Sequence, residues 1–117
     1  QNGQARFAAG VEISGSITYP NASISTKTGT SNTLTSDEHL VLIDASGGAV
    51  TIDLPDAGTY PGRQIYFKVT TNPGGNTITL QRAGSDTIDG ATSNTSLDTQ
   101  WEALSVISDG SSQWLIF

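Results

Sequence analysis

The side chains available for acid–base, nucleophilic or metal chemistry are few: one histidine, eleven carboxylates and no cysteine. His39 stands at the entrance of an apolar stretch, HLVLIDA, with no Ser-x-Gly elbow and no second histidine nearby in sequence. A catalytic triad needs an oriented base beside a nucleophile, so His39 reads as a structural or surface residue. Asp86 and Asp89 in SDTIDG offer two carboxylates and the carbonyls of a glycine-containing loop, which is Ca²⁺ chemistry. Their spacing matches neither an EF-hand loop nor an Asp-rich repeat. Asp side chains also bond nearby N–H groups in turns, and Asp-Gly is itself a turn dipeptide, so the turn role is the expected one. Asp53, Asp56 and Asp109-Gly110 take the same reading. Eleven acids make some glycosidase-like pair inevitable. Asn21-Ala22-Ser23 and Asn94-Thr95-Ser96 match the glycosylation sequon, a pattern common in any Ser/Thr/Asn-rich chain. No catalytic residue, metal ligand or cofactor is expected.

Aromatic residues carry more binding chemistry. Tyr60, in the loop PDAGTYPG, is the candidate to stack on a sugar ring, and Tyr66 is second because its parity is opposite to that of Ile65 and Phe67. Trp101 and Trp114 are expected to pack in the core, the usual place of Trp in a small β-domain. Function concentrates in loops, so 55–62, 71–76 and 82–94 form the candidate contact surface.

Composition narrows the partners. The net charge is −6, and Arg6, Lys27, Arg63, Lys68 and Arg82 are scattered. Nucleic acid and anionic membranes both require clustered cations, so an uncharged partner, a neutral glycan or another protein, fits better. The charged fraction is 14%, below the usual ~25%, and 14 Ser with 16 Thr supply the polarity instead. No apolar run reaches the ~20 residues of a membrane span. A chain that begins at Gln and contains no Met is expected to be a processed or excised piece.

The elements that must position these residues read as strands. Val50, Ile52 and Leu54 alternate with Thr51 and Asp53, and Ile65, Phe67 and Val69 with Tyr66 and Lys68. Period-two alternation marks half-buried strands. HLVLIDA reads as a strand buried on both faces. TITLQ, QWEALSVIS and QWLIF follow, separated by TTNPGGN, by RAGSDTIDGATSN with Ile88 as its apolar plug, and by DGSS. Seven or eight short strands at near-regular spacing predict an all-β fold, a β-sandwich or small barrel. Residues 37–117 form this compact head. Residues 1–36 are thinner, and 20–36 read as a linker or loosely wrapped segment.

Within 1–36, Phe7, Ala9, Val11, Ile13, Gly15, Ile17 and Tyr19 keep a period of two over thirteen residues. A single strand cannot bury such a face alone. Three symmetry-related copies placing Phe7, Val11, Ile13 and Ile17 around a common axis would form a slender shaft with a dry centre. Pairing of the strand with its own head is the other arrangement.

ARFAAGVEISGSITY resembles segments in tail fibres and other virion structural proteins of bacteriophages. LTSDEHLVLIDASGGAVTIDLP, GRQIYFKVT, NTITLQRAGSDTIDG and WEALSVISDGSSQWLIF are similar to a β-domain of phage fibres and tailspikes, so the likeness spans nearly the whole chain. It implies a homotrimeric virion protein with no catalytic site carried over, extracellular once assembled and associated with other virion proteins. Such a protein either binds a host surface, where the charge balance would suit a neutral glycan, or caps a structural projection. A tail-fibre segment in host attachment is the expectation. A capsid decoration protein and a stand-alone carbohydrate-binding module are the alternatives.

Overall fold

The computed structural model describes residues 23–117. Phe7, Val11, Ile13 and Ile17, and the shaft strand that they define, lie outside the described residues. The described chain is nearly all β, arranged in two mixed sheets in a manner compatible with a β-sandwich.

Successive strands alternate between the sheets. β1 (Ser23–Lys27), β3 (Glu38–Ile43) and β5 (Gln64–Val69) lie in one sheet, while β2 (Asn32–Thr33), β4 (Val50–Asp53) and β6 (Ile78–Gln81) lie in the other. Neighbours within each of these trios run parallel. Parallel neighbours need a crossover connection, and here each crossover carries a strand of the opposite sheet. The chain therefore winds as a flattened coil before it closes. β7 (Thr87–Ile88), β8 (Thr95–Leu97), β9 (Ala103–Ser108) and β10 (Gln113–Ile116) complete a six-stranded sheet in the order β1-β3-β5-β9-β10-β7 and a four-stranded sheet β2-β4-β6-β8. The pairs β5/β9, β9/β10 and β6/β8 are antiparallel.

One core lies between the sheets. The six-stranded sheet contributes Val41, Ile43, Ile65, Phe67, Val69, Val106 and Trp114, and the four-stranded sheet Val50, Ile52, Ile78, Leu80 and Leu97. Each such side chain, fully buried, is worth about 1.5–3 kcal/mol in apolar transfer. The alternations of β4 and β5 sit as their sequences require. Ile88 is buried as the plug of its loop.

HLVLIDA departs from the expected strand buried on both faces. Val41, Ile43 and Ala45 enter the core, but Leu40 and Leu42 lie half-buried on the opposite face. That outer face is not covered by a second layer among the described residues, which is why a continuous apolar run does not mean burial on both sides here. The segment read as a linker likewise carries structure. It supplies β1 and β2, and Leu34 is buried while Ile24 stays exposed.

The loop Pro55–Gly62 is clamped rather than free. Asp56 caps a short 3-10 turn (Ala57–Thr59) by accepting the Gly58 N–H at 2.8 Å. Asp86, itself buried, accepts the Ala57 N–H at 2.8 Å, and Ser108 Oγ donates to the Ala57 carbonyl at 2.6 Å. Trp114 Nε1 donates to the Pro55 carbonyl at 2.9 Å. Gly58 is required by this closeness, since a Cβ there would come within 2.8 Å of the Ser111 carbonyl oxygen.

Candidate docking surface

The outer face of the six-stranded sheet is built by register. Ile24 pairs with Leu40, Leu40 with Tyr66, and Tyr66 with Ser105. Ser105 in turn exchanges backbone hydrogen bonds with Phe117. Residues directly opposite one another share a face, so Ile24, Leu40, Tyr66 and Ser105 form one row across four neighbouring strands, and Phe117, which follows β10, extends it. Thr26, Leu42, Lys68 and Ala103 form the next row by the same pairings. Ile24 is 66% exposed, Tyr66 41% and Phe117 72%. Between the rows lies an open groove of about 530 Å³ that includes Leu40, Leu42, Tyr66, Lys68 and Phe117 in its lining.

Few of the polar groups in this groove are left unbonded. The Tyr66 hydroxyl accepts from Gln64 Nε2 at 2.7 Å. Lys68 Nζ donates to the Trp101 carbonyl at 2.6 Å, and Ser105 Oγ donates to the Phe117 carbonyl at 3.3 Å. His39 stands at one end, its ring edge-on to Tyr66 with centroids 5.1 Å apart at 73°. It also borders a second, more polar hollow of about 460 Å³ that contains Tyr60, Arg63 and Ser36. The two tyrosines singled out from sequence therefore lie in adjoining hollows with His39 common to both. Tyr60 is half-buried, and the Arg63 guanidinium carbon sits 4.9 Å from the centre of its ring. Arg63 also holds the turn before β3 by donating to the Glu38 carbonyl at 2.9 Å.

Trp101 is the largest departure from expectation. Trp114 is buried, but Trp101 is 60% exposed. Its φ of 71° lies in the left-handed region that favours glycine. Two bonds explain the geometry: the Trp101 N–H donates to the Val69 carbonyl, and the Val69 N–H donates to the Glu102 carbonyl. Two residues thus oppose one, a β-bulge whose first position is ordinarily glycine. Glu102 braces the preceding turn by accepting the Asp98 N–H at 2.8 Å and the Thr99 N–H at 3.2 Å. A left-handed backbone costs a residue with a Cβ about 1–2 kcal/mol. Trp101→Gly is accordingly expected to be more stable than Trp101→Ala by ~1 kcal/mol, the reverse of the order in an ordinary strand. Paired urea melts measure this, and equal midpoints would contradict it.

Several of the carboxylates serve the backbone. Asp89 Oδ1 accepts the Ile116 N–H at 2.9 Å, so Asp86 and Asp89 bond to amides in different segments. Asp109 Oδ1 accepts from Ser111, Ser112 and Gln113 within the β9–β10 turn, and these N–H groups hold its carboxyl below the usual range. Asp44 accepts from the Ser46 hydroxyl and N–H and from the Thr71 hydroxyl, with the same effect. Among the described residues, no three His, Asp or Glu side chains converge on a metal-sized site.

No protein family matches this sequence, and no curated protein is significantly similar to it. The arguments for function therefore rest on the residues themselves. Ile24, Leu40, Leu42 and Phe117 were not among the sequence candidates. The available signal was parity: Leu40 and Leu42 alternate with Val41 and Ile43.

Proposed function

We propose that this protein is a non-enzymatic structural component of a phage virion, a homotrimeric tail-fibre segment that takes part in host-surface attachment. The observation that carries the reading is how the side chains are used. Asp56, Asp86, Asp89 and Asp109 accept backbone amides, whereas the outer face of the six-stranded sheet leaves Ile24, Tyr66 and Phe117 exposed. A surface with apolar contact area and hydrogen bonds already made internally suits association rather than bond breaking. The resemblance of the Ala5–Tyr19 and head segments to phage fibres supplies the virion setting, and the arm face of Phe7, Val11, Ile13 and Ile17 supplies the contact between subunits.

The cations support an uncharged or protein partner. Lys27 pairs with Glu38, while Arg63, Lys68 and Arg82 donate to backbone carbonyls. Among the described residues each cation is tied to the fold, and none is displayed as part of a phosphate-binding stripe. Light scattering on the full chain, and on the chain lacking residues 1–19, tests the assembly. The expected result is a trimer that weakens or dissociates on truncation. A full-length chain that stays monomeric at high concentration would overturn the proposal.

A further inference from the structure

We infer that the outer face of the six-stranded sheet, centred on Ile24, Leu40, Leu42, Tyr66 and Phe117, is a contact between heads, and that its occupant is a second copy of this chain. The inference rests on the proposed assembly and deepens it, because it extends the contact from the arm to the head.

Charge is the first argument. The chain carries a net −6, so two copies repel unless they meet where carboxylates are absent. As far as side chains go the groove meets that condition: no Asp or Glu side chain lines it, and the charged side chain in its lining, Lys68, has its ammonium against the Trp101 carbonyl. Like charges directly apposed across an interface cost several kcal/mol, and this face avoids them.

Hydrogen bonding is the second. A sugar presents many hydroxyls and needs free donors and acceptors in its site. Here the Tyr66 hydroxyl accepts from Gln64, one Lys68 N–H is given to the Trp101 carbonyl and the Ser105 hydroxyl donates to the Phe117 carbonyl, so part of the polar capacity of the face is taken up internally. What remains is an apolar surface interrupted by few polar groups, the composition of the core of a contact between subunits.

Position is the third. The chain before Ser23 joins the sheet at β1, an edge strand, and Ile24 begins the apolar row there. Four residues, Pro20 to Ser23, separate Tyr19, the last apolar position of the arm, from Ile24. Tyr19 and Ile24 are thus at most about 18 Å apart along the chain. Copies held together through their arms would keep their Ile24 edges within reach of one another, and the row that starts there, ~19 Å wide at strand spacing, would be the next surface to close.

Ile24→Glu in the full chain is the test, because a side chain 66% exposed can be charged without disturbing the core. Leu42→Glu is the second variant, and circular dichroism confirms that each remains folded. The concentration of half-dissociation is read by light scattering. The expected result is an assembled wild type and a rise of at least ~10-fold in that concentration for both variants, since a charge buried unpaired at a contact is strongly unfavourable. An assembled wild type with both folded variants unshifted would overturn this inference and leave the arm-held assembly standing. A monomeric wild type would overturn both.

Discussion

Replacing Trp114 by alanine is expected to destabilise the fold by about 3–5 kcal/mol, the range for a buried large aromatic. The indole is fully buried in the core, on the strand that pairs with both β9 and β7. Its removal opens a cavity between the sheets and also leaves the Pro55 carbonyl without the Nε1 donor that it now has at 2.9 Å. Pro55 begins the loop that Asp86 and Ser108 hold from other sides, so the loss spreads into the 3-10 turn. Trp114→Phe separates the two contributions. It keeps most of the apolar volume and loses the hydrogen bond, so a loss of about 1–3 kcal/mol is expected, the usual cost of orphaning a buried polar group. Equilibrium urea unfolding followed by far-ultraviolet circular dichroism reads both variants. An alanine variant within 1 kcal/mol of wild type, as an order of magnitude, would mean that the segment around Pro55 is not clamped as described.

Local alternation was legible where each strand had one polar face. β4 and β5 declare themselves because Thr51, Asp53, Tyr66 and Lys68 separate the core residues. Turn chemistry was legible for the same local reason, and Asp109-Gly110 forms the β9–β10 hairpin turn as its dipeptide predicts. HLVLIDA was misread because apolar side chains on an uncovered outer face look the same in sequence as side chains under a second layer. The coil-like order of the strands was illegible for another reason. Parallel neighbours such as β3 and β5 are separated by a whole strand of the other sheet, and no local pattern records that distance. β1 and β2 were hidden by composition, since SISTK and NT are short, polar edge strands with only backbone pairing to define them.

Loop position and parity single out Tyr60 and Tyr66; Tyr66 lies on the outer-face groove and Tyr60 in the adjoining hollow, with His39 bordering both. Trp101 was assigned to the core by residue type, which is a statement about averages. The bulge that turns it outward depends on a register between β5 and β9 and on a left-handed backbone at a non-glycine residue. Neither can be read from WEALSVIS alone.

The ion pair between Lys27 and Glu38 gives the second large effect and a distinctive pH signature. It joins the end of edge strand β1 to the beginning of β3, and Glu38 is buried while also accepting the Thr35 N–H at 2.7 Å. Burial alone would raise the Glu38 carboxyl, but the Lys27 ammonium and the Thr35 N–H outweigh it and hold the group below its ordinary value. A depressed folded value means that the unfolded chain binds more protons in the window between the two values. Stability from this group is therefore present above the unfolded carboxylate range, at about pH 4.3, and is lost as pH falls through the lower folded value. Lys27→Met keeps the apolar stem and removes the charge. A buried carboxylate deprived of its cation costs ~3–5 kcal/mol in the fully buried limit, and about half of that is expected here because Lys27 retains some exposure and the Thr35 bond survives. Without the ammonium, burial is opposed only by the bonds that survive, and the Glu38 carboxyl of the variant rises relative to wild type. The variant should be destabilised most at neutral pH and approach wild type on acidification to about pH 4. Lys27→Met combined with Glu38→Gln removes the orphaned charge and should recover most of the neutral-pH loss. Urea midpoints of the single and double variants at both pH values decide the matter. A single variant with the same loss at both, unrelieved by Glu38→Gln, would show that Lys27 acts through its packing and not through its charge.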